Sequence, residues 1–308
     1  MSSPLQVPYV VVDVFTQTQF GGNQLAVITD GRGLSDDQMQ RIANEFNFSE
    51  TTFVLPASDT ANTARVRIFN RTHEMPFAGH PNVGTAFVLG RQGEVLGQPV
   101  SGALRFEEMA GLVTVALESA AGEVRGATID APRALAVGKT FDAAAMAKCL
   151  GLTPAEIRLN HHAPTEVSVG IEFVVVEVEP GAVSRMAMNL DAFRATADRG
   201  DGTYGRLSVF AYARVGAGME KLRARMFAPL AGTFEDPATG SASGALGAYL
   251  AWLDPRADGE YRIVIEQGVD MGRPSEINLR VSKSGGQVKS VKISGRCVHV
   301  MRGVLELA

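Results

Sequence analysis

The sequence predicts an α+β protein made of two similar halves, and three observations carry that prediction. β-Branched runs recur along the whole chain between turn residues, as strands do. Two segments, beginning near Gly79 and Gly240, are instead small-and-apolar on most helical faces, as buried helices are. Each is opened by a turn containing proline and glycine, and the two turns repeat in order along with the strands before them.

The elements follow in chain order. Val10–Phe15 is a β-branched strand, Phe20-Gly21-Gly22-Asn23 a turn, and Leu25–Ile28 the returning strand. Ser35-Asp36-Asp37-Gln38 has capping-box spacing, and Met39, Ile42, Ala43 and Phe46 follow at helical intervals. That helix ends near Asn47, leaving Ser49-Glu50 on the loop before a strand from Thr51 to Leu55. Arg65–Phe69 alternates as a strand and leads into Glu74-Met75-Pro76-Phe77-Ala78-Gly79-His80-Pro81. Here Pro76 and Gly79 break the strand, and Pro81 suits the first helical position, where its missing N–H costs nothing.

Strands are expected at 103–106, 113–117 and 127–129, and a domain boundary at Ala131–Ala134. A helix then takes Phe141 to Leu150, and Thr153-Pro154-Ala155-Glu156 opens a short one. Phe173–Val178, Leu207–Ala213 and Leu222–Phe227 read as strands, and Leu190–Ala197 as a helix. Glu235-Asp236-Pro237-Ala238-Thr239-Gly240-Ser241 opens a long apolar helix to about Leu253. The tail alternates through 261–267, 276–281, 288–293 and 304–307, as antiparallel strands would. The expected domains are 1–130 and 131–308, with the last strand able to return to the first. Residues 183–205 show no feature that points to a substrate.

The repeat is specific. Pro76, Gly79-His80 and Leu89 match Pro237, Gly240-Ser241 and Leu250 at an offset of 161 (237 less 76, 240 less 79, 250 less 89). Arg65-Val66-Arg67-Ile68-Phe69 matches Arg223-Ala224-Arg225-Met226-Phe227, and Val10–Val14 is paired with Val174–Val178. Two buried helices that begin at glycine turns would each leave backbone N–H groups free to take a carboxylate or phosphate.

Composition removes several function classes. With 308 residues, 45% hydrophobic, the chain is ordinary globular protein. Its 29 basic and 33 acidic residues give −4 with no charge run, which argues against nucleic-acid binding. No apolar run reaches the ~20 residues of a membrane span. The N-terminus lacks a signal pattern, and Cys149 and Cys297 stand far apart without metal spacing, so reduced thiols in a cytoplasmic protein are expected.

For chemistry, His80 sits at a helix start, Ser241 holds the matching place in the second copy, and Asp236 lies just upstream. Glu50 is the carboxylate placed to act as acid or base, because partial burial brings a glutamate toward working pH. The bland readings are an N-terminal histidine that merely caps the helix, a turn aspartate fixed by Pro237, and an exposed loop glutamate. The remaining histidines default to structural or surface roles. Gly240–Gly244 places alanine where a nucleophile elbow needs serine, and no dinucleotide or phosphate-loop fingerprint is present.

Taken together, Phe48-Ser49-Glu50-Thr51-Thr52-Phe53-Val54, Met75–Pro81, Glu235–Ala242 and Gly272-Arg273-Pro274-Ser275 resemble the PhzF-like phenazine-biosynthesis isomerase family, in order and spacing, from near residue 7 to the C-terminus. The resemblance implies a diaminopimelate-epimerase-like fold, in which each of two domains wraps a barrel-like mixed sheet around a central helix with the active site in the cleft between. It implies a cytoplasmic, cofactor-free enzyme with no metal, usually a homodimer, acting on a small carboxylate and with no nucleic-acid or membrane partner. The family's glutamate base maps onto Glu50, its histidine onto His80, and its aspartate and serine onto Asp236 and Ser241. Asn23, Gly79 and Gly240 are the expected substrate-binding positions, although the family's frequent Gly-Asn-Pro reads Gly22-Asn23-Gln24 here. Neither cysteine lies beside a glycine turn, which sets two-thiol racemisation aside. The expected reaction is a proton shift on trans-2,3-dihydro-3-hydroxyanthranilate or a relative. A single-base epimerase or dehydratase of an amino-acid-like acid, and a binding protein without turnover, are the rivals.

Overall fold

The structure, a computed structural model, describes residues 5–100, 102–197 and 206–307. In chain order the elements are β1 (Leu5–Val14), β2 (Asn23–Ile28), α1 (Asp36–Phe46), β3 (Glu50–Leu55), β4 (Ala64–Asn70), β5 (Glu74–Met75) and α2 (Gly79–Gln92). They continue with β6 (Glu94–Val95), β7 (Gln98–Pro99), β8 (Ala103–Glu108), β9 (Gly111–Ala120), β10 (Glu123–Asp130), β11 (Ala136–Thr140) and α3 (Ala143–Leu150). The rest are β12 (Thr165–Ser168), β13 (Glu172–Glu177), α4 (Leu190–Ala197), β14 (Val209–Arg214), β15 (Lys221–Ala228), β16 (Thr233–Asp236), α5 (Gly240–Leu253), β17 (Gly259–Gln267), β18 (Ser275–Ser284) and β19 (Gln287–Leu307). The chain divides into two units, Met1–Asp130 with Ser294–Ala308, and Ala131–Ile293.

In the first unit eight strands pair in a closed ring: β1 with β2, then β3, β4, β8, β9, β10, and β19 from Ser294 onward back to β1. Closure leaves no free edge. α2 packs against strands of this ring, and its residues from Gly79 to Leu89 are all buried. That is why its sequence carries no polar stripe: an enclosed helix has no solvent face to mark. Burying side chains such as Val83 and Leu89 contributes roughly 1.5–3 kcal/mol each. α1 makes the parallel crossover from β2 to β3, as two parallel neighbours require. Its start is the expected capping box at Ser35 and Gln38, and its end is Asn47 in the left-handed region, φ 55°.

The second unit repeats the pairing scheme. β12–β13 is antiparallel, β13–β14 parallel, β14–β15 and β15–β16 antiparallel, β15–β17 parallel and β17–β18 antiparallel. In the first unit the same series runs β1–β2, β2–β3, β3–β4 and β4–β5, β4–β8, β8–β9. α5 stands where α2 stands and packs on β12, β13, β17 and β18. Even the ion pairs recur. Arg67 forks onto Glu74 at 2.7 and 2.6 Å, and Arg225 forks onto Glu235 at 2.7 and 2.8 Å. Each guanidinium also lies 5.0 Å over the ring of the phenylalanine two residues on, Phe69 or Phe227.

Several expectations are corrected. The counterpart of Val174–Val178 is β2, not Val10–Val14, because β13 is the strand that runs parallel to its successor; short β-branched matches carry little register information. α2 begins at Gly79, so Pro81 is its third residue, a position whose N–H also lacks an intrahelical partner. Glu50 is the first residue of β3 rather than a loop residue. Thr153 does close a capping box, but on a single 3-10 turn. The segments at 288–293 and 304–307 are parts of one 21-residue strand. Of the 183–205 stretch, residues 198–205 lie outside the described residues. His161 and His162 are tied to buried groups: His161 Nδ1 pairs with Glu177 at 2.8 Å, and His162 Nε2 with the Tyr212 hydroxyl at 2.8 Å. Among the described residues no helix is long and apolar enough to cross a membrane.

Candidate active site

The first unit brings Glu50, His80, Asn23 and Gly79 together. Gly22 is needed to deliver Asn23: its φ is +61°, and a Cβ there would sit 2.3 Å from the Val14 carbonyl oxygen. Asn23, 2% exposed, then opens β2. Glu50 opens β3, opposite Leu25 on one side and Asn70 on the other. Two short strand starts thus aim their side chains at the start of α2. There the His80 Nδ1 lies 3.4 Å from Asn23 Nδ2 and 3.5 Å from Glu50 Oε2.

The imidazole is 5% exposed and electrostatically constrained. Burial lowers its pKa to about 3, against a smaller opposing effect of a hydrogen bond with the Gln24 backbone. His80 is therefore a neutral ring at physiological pH, with Nε2 sealed from solvent and without a partner among the described residues. The sign of the linkage is fixed. Because the folded pKa lies below the unfolded one, near 6.5, acid favours the unfolded chain as pH falls from about 6.5 toward 3. The urea midpoint is expected to fall between pH 7 and 5, and to fall less in His80→Gln; equal slopes in the two proteins would show that His80 is not the group responsible.

The start of α2 carries no side-chain cap. Its N-cap residue is Ala78, whose carbonyl instead accepts from Asn82 Nδ2 at 3.0 Å. The helix therefore presents its first-turn N–H groups without a side-chain competitor, the arrangement that favours an anion.

In the second unit Asp236, Gly240 and Ser241 stand at the start of α5. The turn between β16 and α5 is held by two residues that sequence reasoning did not single out. Thr239 is the N-cap residue, yet its hydroxyl donates to Asp236 Oδ2 at 2.5 Å rather than capping the helix. Gln267, fully buried at the end of β17, accepts from the Thr239 N–H at 3.0 Å. Its amide donates to the Asp236 carbonyl at 2.7 Å and to Thr239 Oγ1 at 3.0 Å. Ser275, part of the quoted Gly272–Ser275 motif, donates to the Pro237 carbonyl at 2.9 Å. Asp236 is thereby fixed at 6% exposure, and Ser241, half-buried, follows one helical residue after Gly240. Gln267→Leu removes three hydrogen bonds from one buried side chain. It is expected to cost about 2–4 kcal/mol in urea unfolding and at least about tenfold in turnover. Wild-type values of both would deny Gln267 this part.

Among the described residues no three His, Cys, Asp or Glu side chains are grouped to hold a metal ion. Cys149 and Cys297 are buried free thiols, and burial raises both pKa values, that of Cys149 against a smaller opposing hydrogen bond from Thr196 and that of Cys297 beyond the range of a reactive thiol. The chemistry available is a carboxylate next to a neutral imidazole, helix starts suited to anions, and a second carboxylate locked in its turn.

Comparison with known proteins finds relatives along nearly the whole chain. The family described as phenazine biosynthesis-like protein, PhzC-PhzF, matches residues 12–303. An uncharacterised isomerase of Mesorhizobium japonicum is 37% identical over 303 residues, covering 96% of this chain and 98% of that protein. A trans-2,3-dihydro-3-hydroxyanthranilate isomerase of Pseudomonas aeruginosa is 38% identical over 291 residues, covering 93% and 95%. A Bacillus anthracis phenazine biosynthesis protein of the PhzF family superposes with a TM-score of 0.86 at 25% identity, covering 98% of this chain and 100% of that one.

Proposed function

Because the chain belongs to the PhzC-PhzF family, with the diaminopimelate-epimerase-like fold, and is an isomerase of that family, we propose that it shifts a proton by acid/base catalysis on a small unsaturated cyclic carboxylate, without a cofactor. The substrate is trans-2,3-dihydro-3-hydroxyanthranilate or a close relative. The observation that carries this reading is the Glu50 carboxylate held 3.5 Å from an imidazole that burial keeps neutral.

Glu50 takes a proton from an activated C–H, and the electron pair left behind spreads through the conjugated system. The same carboxyl returns the proton at another carbon, so no atom is gained or lost. One base on one face is enough for such a shift. His80, neutral, accepts or donates a hydrogen bond to the substrate's polar groups without adding charge. The free N–H groups at the start of α2 favour the carboxylate. The family resemblance gives Asp236 a share in holding polar groups and relaying a proton, and gives Ser241 an orienting role. Asn23, Gly79 and Gly240 are read as binding positions. The same resemblance supports a cytoplasmic homodimer, which sedimentation equilibrium tests directly.

Incubation with the dihydro-hydroxyanthranilate in D₂O, followed by NMR, tests the reaction. The expected result is isomerisation, with deuterium incorporation measuring how far the carried proton exchanges with solvent. An unchanged substrate would remove this substrate while leaving the fold intact. Altered stereochemistry or loss of water would point to the epimerase or dehydratase reading.

A further inference from the structure

Two side-chain contacts join β3 to α2. Side chains alternate across a strand, so Glu50 and Thr52 leave the same face of β3. Glu50 Oε2 lies 3.5 Å from His80 Nδ1 at the start of α2, and the Thr52 hydroxyl lies 2.8 Å from the Thr85 hydroxyl further along the same helix. Both threonines are fully buried, and one hydroxyl donates to the other. Phe53, between these positions and the next, faces the other way and joins Met39 and Ile42 of α1.

Much of the remaining α2 surface is small and apolar. Gly84, beside Thr85, comes so close to β1 and β2 that a Cβ there would sit 2.7 Å from Val14 Cγ2 and 2.6 Å from Leu25 Cδ2. Val83, Ala86 and Leu89 are buried apolar side chains. Apolar burial is non-directional, whereas a hydrogen bond weakens steeply with distance and angle. The hydroxyl pair therefore resists a slide or rotation of α2 that apolar burial alone opposes less sharply.

The second unit supplies the comparison. At the repeat offset of 161, Thr85 falls on Leu246 of α5 (246 less 85). Thr52 is opposite Ile68 on β4, whose match in the repeat is Met226, and Met226 is opposite Phe210 on β14. The place of Glu50, two residues earlier, falls on Ser208. Phe210 and Leu246 are fully buried, as the threonines are. The half without a carboxylate at this place thus fills the two positions with apolar side chains, and the half that carries Glu50 fills them with a hydrogen-bonded pair. A buried hydroxyl pair adds little net stability over an apolar pair of the same shape, so stability alone does not account for the difference.

We propose that Thr52 and Thr85 are positioning residues of the Glu50–His80 pair. Their hydrogen bond sets where α2 stands along and around its axis relative to β3, and so holds the imidazole within reach of the carboxylate that moves the proton. The catalytic part of this inference rests on the reaction proposed above.

The test sets two kinds of variant against each other, each assayed where it is fully folded. Thr52→Val combined with Thr85→Val keeps the side-chain shapes and removes both hydroxyls. Thr85→Ser keeps the hydroxyl and removes a methyl group. The double Val variant is expected to keep its urea midpoint and to lose about tenfold in kcat with KM within about twofold, as displacement of a reacting group does. Thr85→Ser is expected to do the opposite, with a lower midpoint and kcat within about twofold of wild type. A substrate-free readout accompanies the kinetics: the imidazole ¹⁵N resonances of His80 should shift in the double Val variant and stay in place in Thr85→Ser. Wild-type kcat or unchanged His80 resonances in the double Val variant would overturn the inference. So would a tenfold loss of kcat in Thr85→Ser, which keeps the bond and needs no second variant to fold. If the wild type does not turn over the dihydro-hydroxyanthranilate, the His80 resonances decide the positioning role by themselves, and the failure belongs to the substrate assignment.

Discussion

Glu50→Gln is expected to lower kcat by about a thousandfold, within the range that a positioned general base supplies, while leaving folding stability nearly unchanged. The amide keeps the size and hydrogen-bonding reach of the carboxyl, so the start of β3 and its pairing with Leu25 and Asn70 should persist. What it loses is basicity. Because His80 Nδ1 lies 3.5 Å from Glu50 Oε2 and 3.4 Å from Asn23 Nδ2, an amide at position 50 offers the ring a similar polar neighbour. KM is therefore expected to move by less than about threefold, which separates a base from a binding group. Pre-steady-state NMR in D₂O gives the second readout: the variant should show neither isomerisation nor exchange of the substrate proton. Loss of isomerisation with retained exchange would transfer the base role to another group and keep Glu50 only as the proton donor. Equal kcat in both proteins would remove it from the mechanism.

How much of this was legible in the sequence follows from the range over which each signal acts. Local signals read well. The Ser35–Gln38 capping box, the Asn47 end of α1 and the glycine turns before α2 and α5 all depend on residues within one turn of each other. Glu50 and His80 stand out as candidates because each adjoins such a signal, and the structure brings the two side chains together. Gln267 does not, because a polar residue closing an alternating strand announces only that it faces inward. Its partners, Asp236 and Thr239, are brought to it by pairing between strands distant in sequence. The repeat was legible where bulky and special residues marked it, at the Arg–Phe strands and the Pro–Gly turns. It was misread in the valine runs, because strands β1, β2 and β13 all satisfy the same β-branched pattern.

Gly268→Ala is expected to be strongly destabilising, and its effect on the site makes it more than a folding test. Gly268 follows Gln267 with φ +72°, and a Cβ there would sit 2.4 Å from the Arg273 carbonyl oxygen and 2.5 Å from that of Pro237. Both obstacles are backbone, so relief requires moving the chain rather than rotating a side chain. One of them belongs to the turn that carries Asp236. Strain at a left-handed position costs about 1 kcal/mol by itself, and the two clashes should bring the total to about 3–4 kcal/mol. That corresponds to a Tm lower by roughly 6–16 °C for a unit of this size. Gly272→Ala is the matched control: its φ is +71°, but a Cβ there meets nothing within 4 Å, so it should show only the strain of about 1 kcal/mol. If the Asp236 turn matters to turnover, Gly268→Ala should also lose activity at temperatures where it is fully folded, and Gly272→Ala should not. Equal losses of stability in the two variants would mean that the turn yields easily and that Gln267 and Ser275 do not fix Asp236 as tightly as their hydrogen bonds suggest.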